Sequence, residues 1–99
     1  MDNVFDALAH PIRRRVLEML KSGAMSAGAL AEAFPVSKPT MSAHFAKLKA
    51  AGLIQGEQRG GTILYSLNLS VVEEVVMGFM ARLHVGRGQP VERPEDSDA

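Results

Sequence analysis

Apolar positions in this chain recur at two spacings, and the change of spacing marks its elements. Up to residue 51 they recur every three or four residues, the helical period. Val4, Phe5 and Leu8 share one side of a short helix over 3–9. His10-Pro11 breaks it, because proline disfavours the helical region for the residue before it. Pro11 then opens a second helix, PIRRRVLEMLKSG, at a position where a missing N–H costs little. Ile12, Val16, Leu17, Met19 and Leu20 face inward there, Arg13, Arg14, Arg15 and Lys21 form its polar side, and Gly23 ends it. Ser26 caps a third helix, SAGALAEAF, with Leu30, Ala31 and Phe34 as its apolar side. After a tight Pro35-Val36 connection, Ser37 caps a fourth helix over 37–51, with Met41, Phe45 and Leu48 as its buried face and Gly52 as its stop.

Beyond Gly52 the period shortens to two. LIQGEQ and TILYSLN flank Arg59-Gly60-Gly61, with Ile63, Tyr65 and Leu67 alternating against Leu64 and Ser66. Two such runs around a Gly-Gly turn predict a two-stranded β-hairpin over 53–68. The helical period then returns. Ser70-x-x-Glu73 matches a capping box and is expected to open a last helix. Val71, Val72, Val75, Val76, Phe79, Met80 and Leu83 give that helix more apolar surface than packing on one side requires, which predicts a core completed by a second chain. From Gly86 onward glycine, proline and charge dominate, so 86–99 is expected to be a disordered acidic tail on a single domain over 1–85.

Composition narrows the class. The 99 residues suit one domain, and a hydrophobic share of 46% suffices for a modest core. The absence of cysteine excludes disulfides, thiolate metal sites and cysteine nucleophiles. No apolar run approaches the roughly 18 residues of a membrane span, and the start, MDNVFDALAH, lacks the basic and apolar regions of a signal peptide. The expectation is a cytoplasmic protein without membrane insertion. Net charge is zero, but it is unevenly spread. Residues 10–67 carry eight Lys/Arg against three acidic residues, while 1–9 and 68–99 are net acidic. A local basic face matters more for phosphate binding than the total.

The fourth helix lies in that basic middle. On an ideal helix its apolar face turns Pro39, Thr40, Ala43 and Lys47 outward and leaves Ser42, His44 and Lys49 on the flanks. A small, polar, cationic outer face suits a helix that enters a groove of double-stranded DNA. Two short helices joined by a few turn residues, the second with this face, form a helix-turn-helix, and the hairpin behind it is the wing of a winged helix. The candidate contacts are Ser37, Lys38, Thr40, Ser42, Ala43 and His44 at base edges. Lys donates to guanine acceptors, Ser and Thr bond several edges, and Ala43 meets a thymine methyl. Lys47 and Lys49 are assigned to phosphates, which position a protein without reading sequence. Arg59, Gly60 and Thr62 at the hairpin tip face the minor groove or the backbone. His44 lies about 60° off the core direction, so a half-buried structural histidine and a DNA contact both stay open. Arg13-Arg14-Arg15 reads as a solvated charge run. Arg14 or Arg15 is the candidate for a phosphate, and at least one of the three is expected to pack its stem on a neighbouring chain.

These pieces, in this order, resemble the ArsR/SmtB family of bacterial winged helix-turn-helix repressors. The matching segments are ALAHPIRRRVLEML, MSAGALAEAF, VSKPTMSAHFAKLKAAGLI and RGGTILYSLN, spanning about residues 3–69. The match extends to small members of the SdpR autorepressor type, which lack the family's metal-binding cysteines. The resemblance implies a mainly α fold, a homodimer built by the terminal helices, two recognition helices in successive major grooves of a palindromic operator, and repression by blocking transcription. His10 stands where the family commonly has Asp before the proline, so the cap of the second helix is expected to differ.

Other functions are weighed against this one. No nucleophile elbow, phosphate loop or paired carboxylates appear, so no enzyme is expected. No cofactor or metal is expected either. Glu73 and Glu74 lie about three turns, some 15 Å, from His84 on one helix, too far for one ion within a chain. An antiparallel partner helix could still bring His84 near Glu73 of a second subunit, which leaves a metal- or small-molecule-responsive repressor as one alternative. A regulatory protein that sequesters the repressor through its apolar last helix is the other.

Overall fold

The computed structural model describes residues 2–83. In chain order it contains α1 (Asp2–Leu8), α2 (Pro11–Leu20), β1 (Met25–Ser26), α3 (Ala27–Glu32), α4 (Lys38–Ala50), β2 (Ile54–Arg59), β3 (Thr62–Leu67) and α5 (Leu69–Leu83). The tail expected over 86–99 and the candidate ligand His84 lie outside the described residues.

Local chemistry sets the element boundaries. The β-region residues Ser26 and Ser37 accept, through their hydroxyls, the N–H of Ala29 at 3.1 Å and of Thr40 at 3.2 Å. Each satisfies one orphan donor of a helix start. His10 takes the same role for α2: its Nδ1 accepts the Ile12 N–H at 3.1 Å. The cap therefore does differ from a carboxylate cap, but its acceptor survives. At the end of α4, Gly52 adopts φ 77°, its N–H reaches the Lys49 carbonyl at 2.9 Å, and the Leu53 N–H reaches Leu48 at 3.0 Å. This is a Schellman stop, whose left-handed residue favours glycine. The two residues that close it, Leu48 and Leu53, are both fully buried.

The hairpin forms as expected, with Arg59 opposite Thr62 across Gly60-Gly61. A positive φ at Gly60 without one at Gly61 is the type II′ signature, which twists with its strands. Gly56 faces Tyr65 across the ladder, and a Cβ there would stand 3.0 Å from Tyr65 Cε1 and 3.2 Å from Ile63 Cγ2. Glycine is the residue that lets the Tyr65 ring lie over the strand.

Two expectations need correction. The sheet has three strands, in order β1-β3-β2, because Met25 and Ser26 pair with Tyr65 and Leu64. Two residues are too few to display a period of two. The last helix also begins two residues earlier than the capping box predicts. The Asn68 carbonyl accepts the Val72 N–H at 3.2 Å, which puts Asn68 at the cap position, and the Ser70 hydroxyl donates to Asn68 Oδ1 at 3.1 Å from inside the first turn.

The core joins every element except β1 and α5 through buried side chains. Val4 and Ala7 of α1, Val16 and Leu20 of α2, Leu30 of α3, and Met41, Phe45 and Leu48 of α4 meet Leu53, Ile54 and Tyr65 of the sheet region. The Phe45 and Tyr65 rings pack with centroids 4.8 Å apart, which seats α4 on the sheet. α5 rests on this core through the half-buried Val71, Val72 and Val75, and none of its residues is buried.

Candidate nucleic-acid interface

α4 divides cleanly between core and water. Met41, His44, Phe45 and Leu48 are buried, whereas Lys38, Pro39, Thr40, Ser42, Ala43, Ala46, Lys47, Lys49 and Ala50 are exposed. The outer face is held by a capped start, a Schellman stop and a buried stripe, so its side chains are presented on a rigid backbone. Such rigidity lowers the ordering cost of binding.

Each predicted site residue now has a place. Ser37 is exposed, but its hydroxyl is occupied: it accepts the Thr40 N–H and donates to Thr40 Oγ1 at 2.9 Å. Lys38 and Ser42 border a shallow cleft between α3 and the start of α4, beside the small residues Ala27, Gly28 and Ala31. Ala43 faces solvent. Lys47 is ion-paired across to α1, with Nζ 2.7 Å from Asp6 Oδ2, and this bond holds the Asp6 carboxyl below its usual range. On the wing, Arg59 pairs with Glu57 of its own strand at 3.1 Å, Gln58 Nε2 donates to the Gly60 carbonyl at 3.3 Å, and Thr62 is exposed. The structure thus brings Lys38, Thr40, Ser42, Ala43 and Lys47 together on one helix surface. Arg59, Gly60 and Thr62 stand on a separate projection.

His44 does not belong to that surface. It is 8% exposed, and its Nδ1 lies 3.0 Å from Arg13 Nη1. Burial, then the neighbouring His10 and Arg13, push its pKa below 6.5. The side of α4 carrying position 44 packs against α2, so the histidine cannot meet a base edge without leaving the fold.

Arg13 overturns the solvated-run reading as well. It is 7% exposed, and besides His44 it bonds the Ala7 carbonyl at 2.8 Å through Nε and the Asp6 carbonyl at 2.9 Å through Nη2. Arg14 bonds the Leu8 carbonyl at 2.8 Å. Helix ends leave carbonyls without intrahelical partners, and two guanidiniums from α2 satisfy the last turn of α1. Arg14 and Arg15 are exposed, as a solvated run predicts, and Arg15 pairs with Glu18 at 3.1 Å. The signal for Arg13 was present in principle: an arginine at the third position of a helix directly after a Pro-broken helix can reach back to the carbonyls it follows.

Two helices in a helix-turn-helix, a solvent-facing cationic second helix and a β-wing define a winged helix-turn-helix DNA-binding regulator. Residues 8–57 match the model of a helix-turn-helix domain. The chain is 45% identical to the transcriptional repressor SdpR of Bacillus subtilis over 76 residues, covering 77% of this chain and 84% of that one. It is 32% identical to the HTH-type transcriptional regulator Rv2034 of Mycobacterium tuberculosis, covering 96% and 92%. The fold superposes on the crystal structure of an ArsR family transcriptional regulator with a TM-score of 0.78, at 24% identity and with 90% and 92% of the two chains covered. The chain belongs to the ArsR/SmtB family of winged helix-turn-helix repressors, which are regulators of transcription and not enzymes. Among the described residues no helix is long and apolar enough to cross a membrane.

Proposed function

We propose that this chain acts in the cytoplasm as a homodimeric repressor on a palindromic operator, with α4 in the major groove and the β2–β3 wing against the flanking backbone. The observation that carries the reading is the outer face of α4. Lys38, Thr40, Ser42, Ala43 and Lys47 are exposed together on a helix whose inner face is fully buried. Lys38, Ser42 and Ala43 are assigned to base edges. Thr40 serves there or at a phosphate, and Ser37 chiefly as the cap that orients them. Lys47, Lys49, Arg59, Gly60 and Thr62 are assigned to the sugar-phosphate backbone. The names of the relatives supply the sign of regulation, since the fold accounts for binding but not for repression.

The exposed apolar side chains of α5 support the dimer. Val76, Met77, Phe79 and Leu83 are 44%, 62%, 40% and 54% exposed on one chain, and the Phe79 ring packs edge-on against Phe5 of α1 at 5.4 Å. Phe5 and Phe79 thus join the terminal helices in an exposed apolar patch, which a second copy of the same patch would cover.

Selection of bound duplexes from a random DNA library tests the reading. A palindrome whose half-sites lie about 10 bp apart centre to centre is the expected product of a two-fold dimer. Failure to enrich any sequence would overturn it.

A further inference from the structure

A polar bridge ties α4 to the rest of the chain, and neither the apolar core nor the DNA-facing surface accounts for it. Arg13 holds the last carbonyls of α1 with two of its nitrogens and meets His44 Nδ1 with the third, at 3.0 Å. A guanidinium offers only donors. His44 Nδ1 must therefore accept, which makes the imidazole neutral with its proton on Nε2. The charged and titratable groups around it come from every neighbouring element. His10, at the cap of α2, lies with its ring 4.5 Å from the His44 ring and its Nδ1 already taken by the Ile12 N–H. Arg13 comes from α2 itself, and the Asp6–Lys47 pair closes the seam between α1 and α4.

We infer that Arg13 and His44 are positioning residues for DNA binding: their bond holds α4 against α1 and α2 only while His44 is neutral, and a proton on His44 uncouples the helix and weakens binding. This rests on reading α4 as the DNA-contacting helix. A proton on Nδ1 would set two donors against each other at hydrogen-bond distance, beside a permanent cation and in a buried site. Such a clash of donors is relieved by moving the helix that carries one of them. The sign is opposite to simple electrostatics, because adding positive charge to a DNA-binding protein tightens its hold on phosphates.

Linkage fixes the direction. The folded-state pKa of His44 is lowered, so the unfolded or uncoupled chain takes the proton first. The stability that this site contributes is fully present above about 6.5 and is lost as pH falls through the lower, folded value.

The test pairs two measurements on the full chain at fixed ionic strength and well below the unfolding temperature, from about pH 7.5 to about pH 5. One is fluorescence anisotropy with the duplex recovered by selection. The other is amide hydrogen exchange of α4 without DNA, corrected for intrinsic rates. The wild type is expected to lose affinity in acid, approaching about tenfold per pH unit once one proton is taken up, while α4 protection falls over the same range. His44→Asn is expected to keep both, because its Oδ1 can accept from Arg13 but does not titrate. His10→Asn, which retains a cap acceptor, should still show the acid loss. A wild type whose affinity stays flat or rises in acid overturns the inference, as does a His44→Asn variant that weakens in parallel with the wild type. A duplex that fails to bind even near neutrality, with His44-dependent loss of α4 protection intact, supports the bridge and overturns the DNA reading instead.

Discussion

α4 and α5 are the two longest helices among the described residues, and they solve opposite problems. α4 buries four residues within its own chain and turns a polar, cationic face to solvent. α5 buries none and turns Val76, Met77, Phe79 and Leu83 to solvent. The first is complete as folded and has an outer face that fits a polyanion. The second leaves its apolar outer face uncovered as folded, and the proposed dimer would cover it. On the proposed function, one helix reads DNA and the other sets the distance between two readers. A substitution on α4's inner face should therefore cost folding, one on α5's outer face should cost assembly, and one on α4's outer face should cost DNA binding alone.

The largest effect separates core from everything else. Leu48 is fully buried beneath α4 and closes its Schellman stop, so Leu48→Ala should cost about 2–5 kcal/mol of stability, read by chemical denaturation. A loss much smaller than this would mean that α4 is held mainly by its caps and by the Arg13 bridge. Val76→Asp comes next. The chain's own core does not bury this side chain, so the fold should persist. An unpaired carboxylate in a dimer interface should cost roughly 2–4 kcal/mol of association, seen by light scattering as a shift to monomer. A variant that stays dimeric would move the interface off α5.

How far this contrast could be read without coordinates depends on the range of the interactions. The buried stripe, serine caps and glycine stop of α4 are local, and so is the turn chemistry of the wing; each lies within a few residues of its signal. The apolar excess of α5 is legible for the same reason. Interactions between distant segments are not. Arg13 finds its acceptor 31 residues away in His44, and Lys47 finds Asp6 across 41 residues. Periodicity placed His44 on a flank, and only the packing of α2 against that flank decides that it turns inward. β1 is invisible because two residues become a strand only when β3 lies beside them.

Smaller effects test the outer face of α4 itself. Lys38 is exposed at the first turn beside Ser42 and the cleft to α3. Lys38→Ala should leave stability and dimerisation unchanged and weaken operator binding by about 1–3 kcal/mol, relaxing base preference at one position in each half-site. Repeating the library selection with the variant measures this. An unchanged preference with uniformly weaker binding would assign Lys38 to a phosphate.

Lys47 carries the smallest effect and the sharpest distinction. Its ammonium is committed to Asp6 in the free chain, and both side chains are solvated enough that the pair contributes little to folding. On DNA the two roles compete: Lys47 can remain on Asp6 or turn to a phosphate. If it turns, Lys47→Ala should weaken all duplexes alike and reduce the slope of log affinity against log salt by about 0.9. Asp6→Asn should then tighten binding without regard to sequence, since it removes the competing carboxylate. If the pair persists in the complex, Lys47→Ala should leave the slope unchanged. Asp6→Asn should then still tighten binding modestly through loss of a nearby negative charge, with no change of slope. Salt titrations of the two variants on one specific and one scrambled duplex separate these cases. They also decide whether the α1 flank of α4 belongs to the DNA-binding surface or to the scaffold behind it.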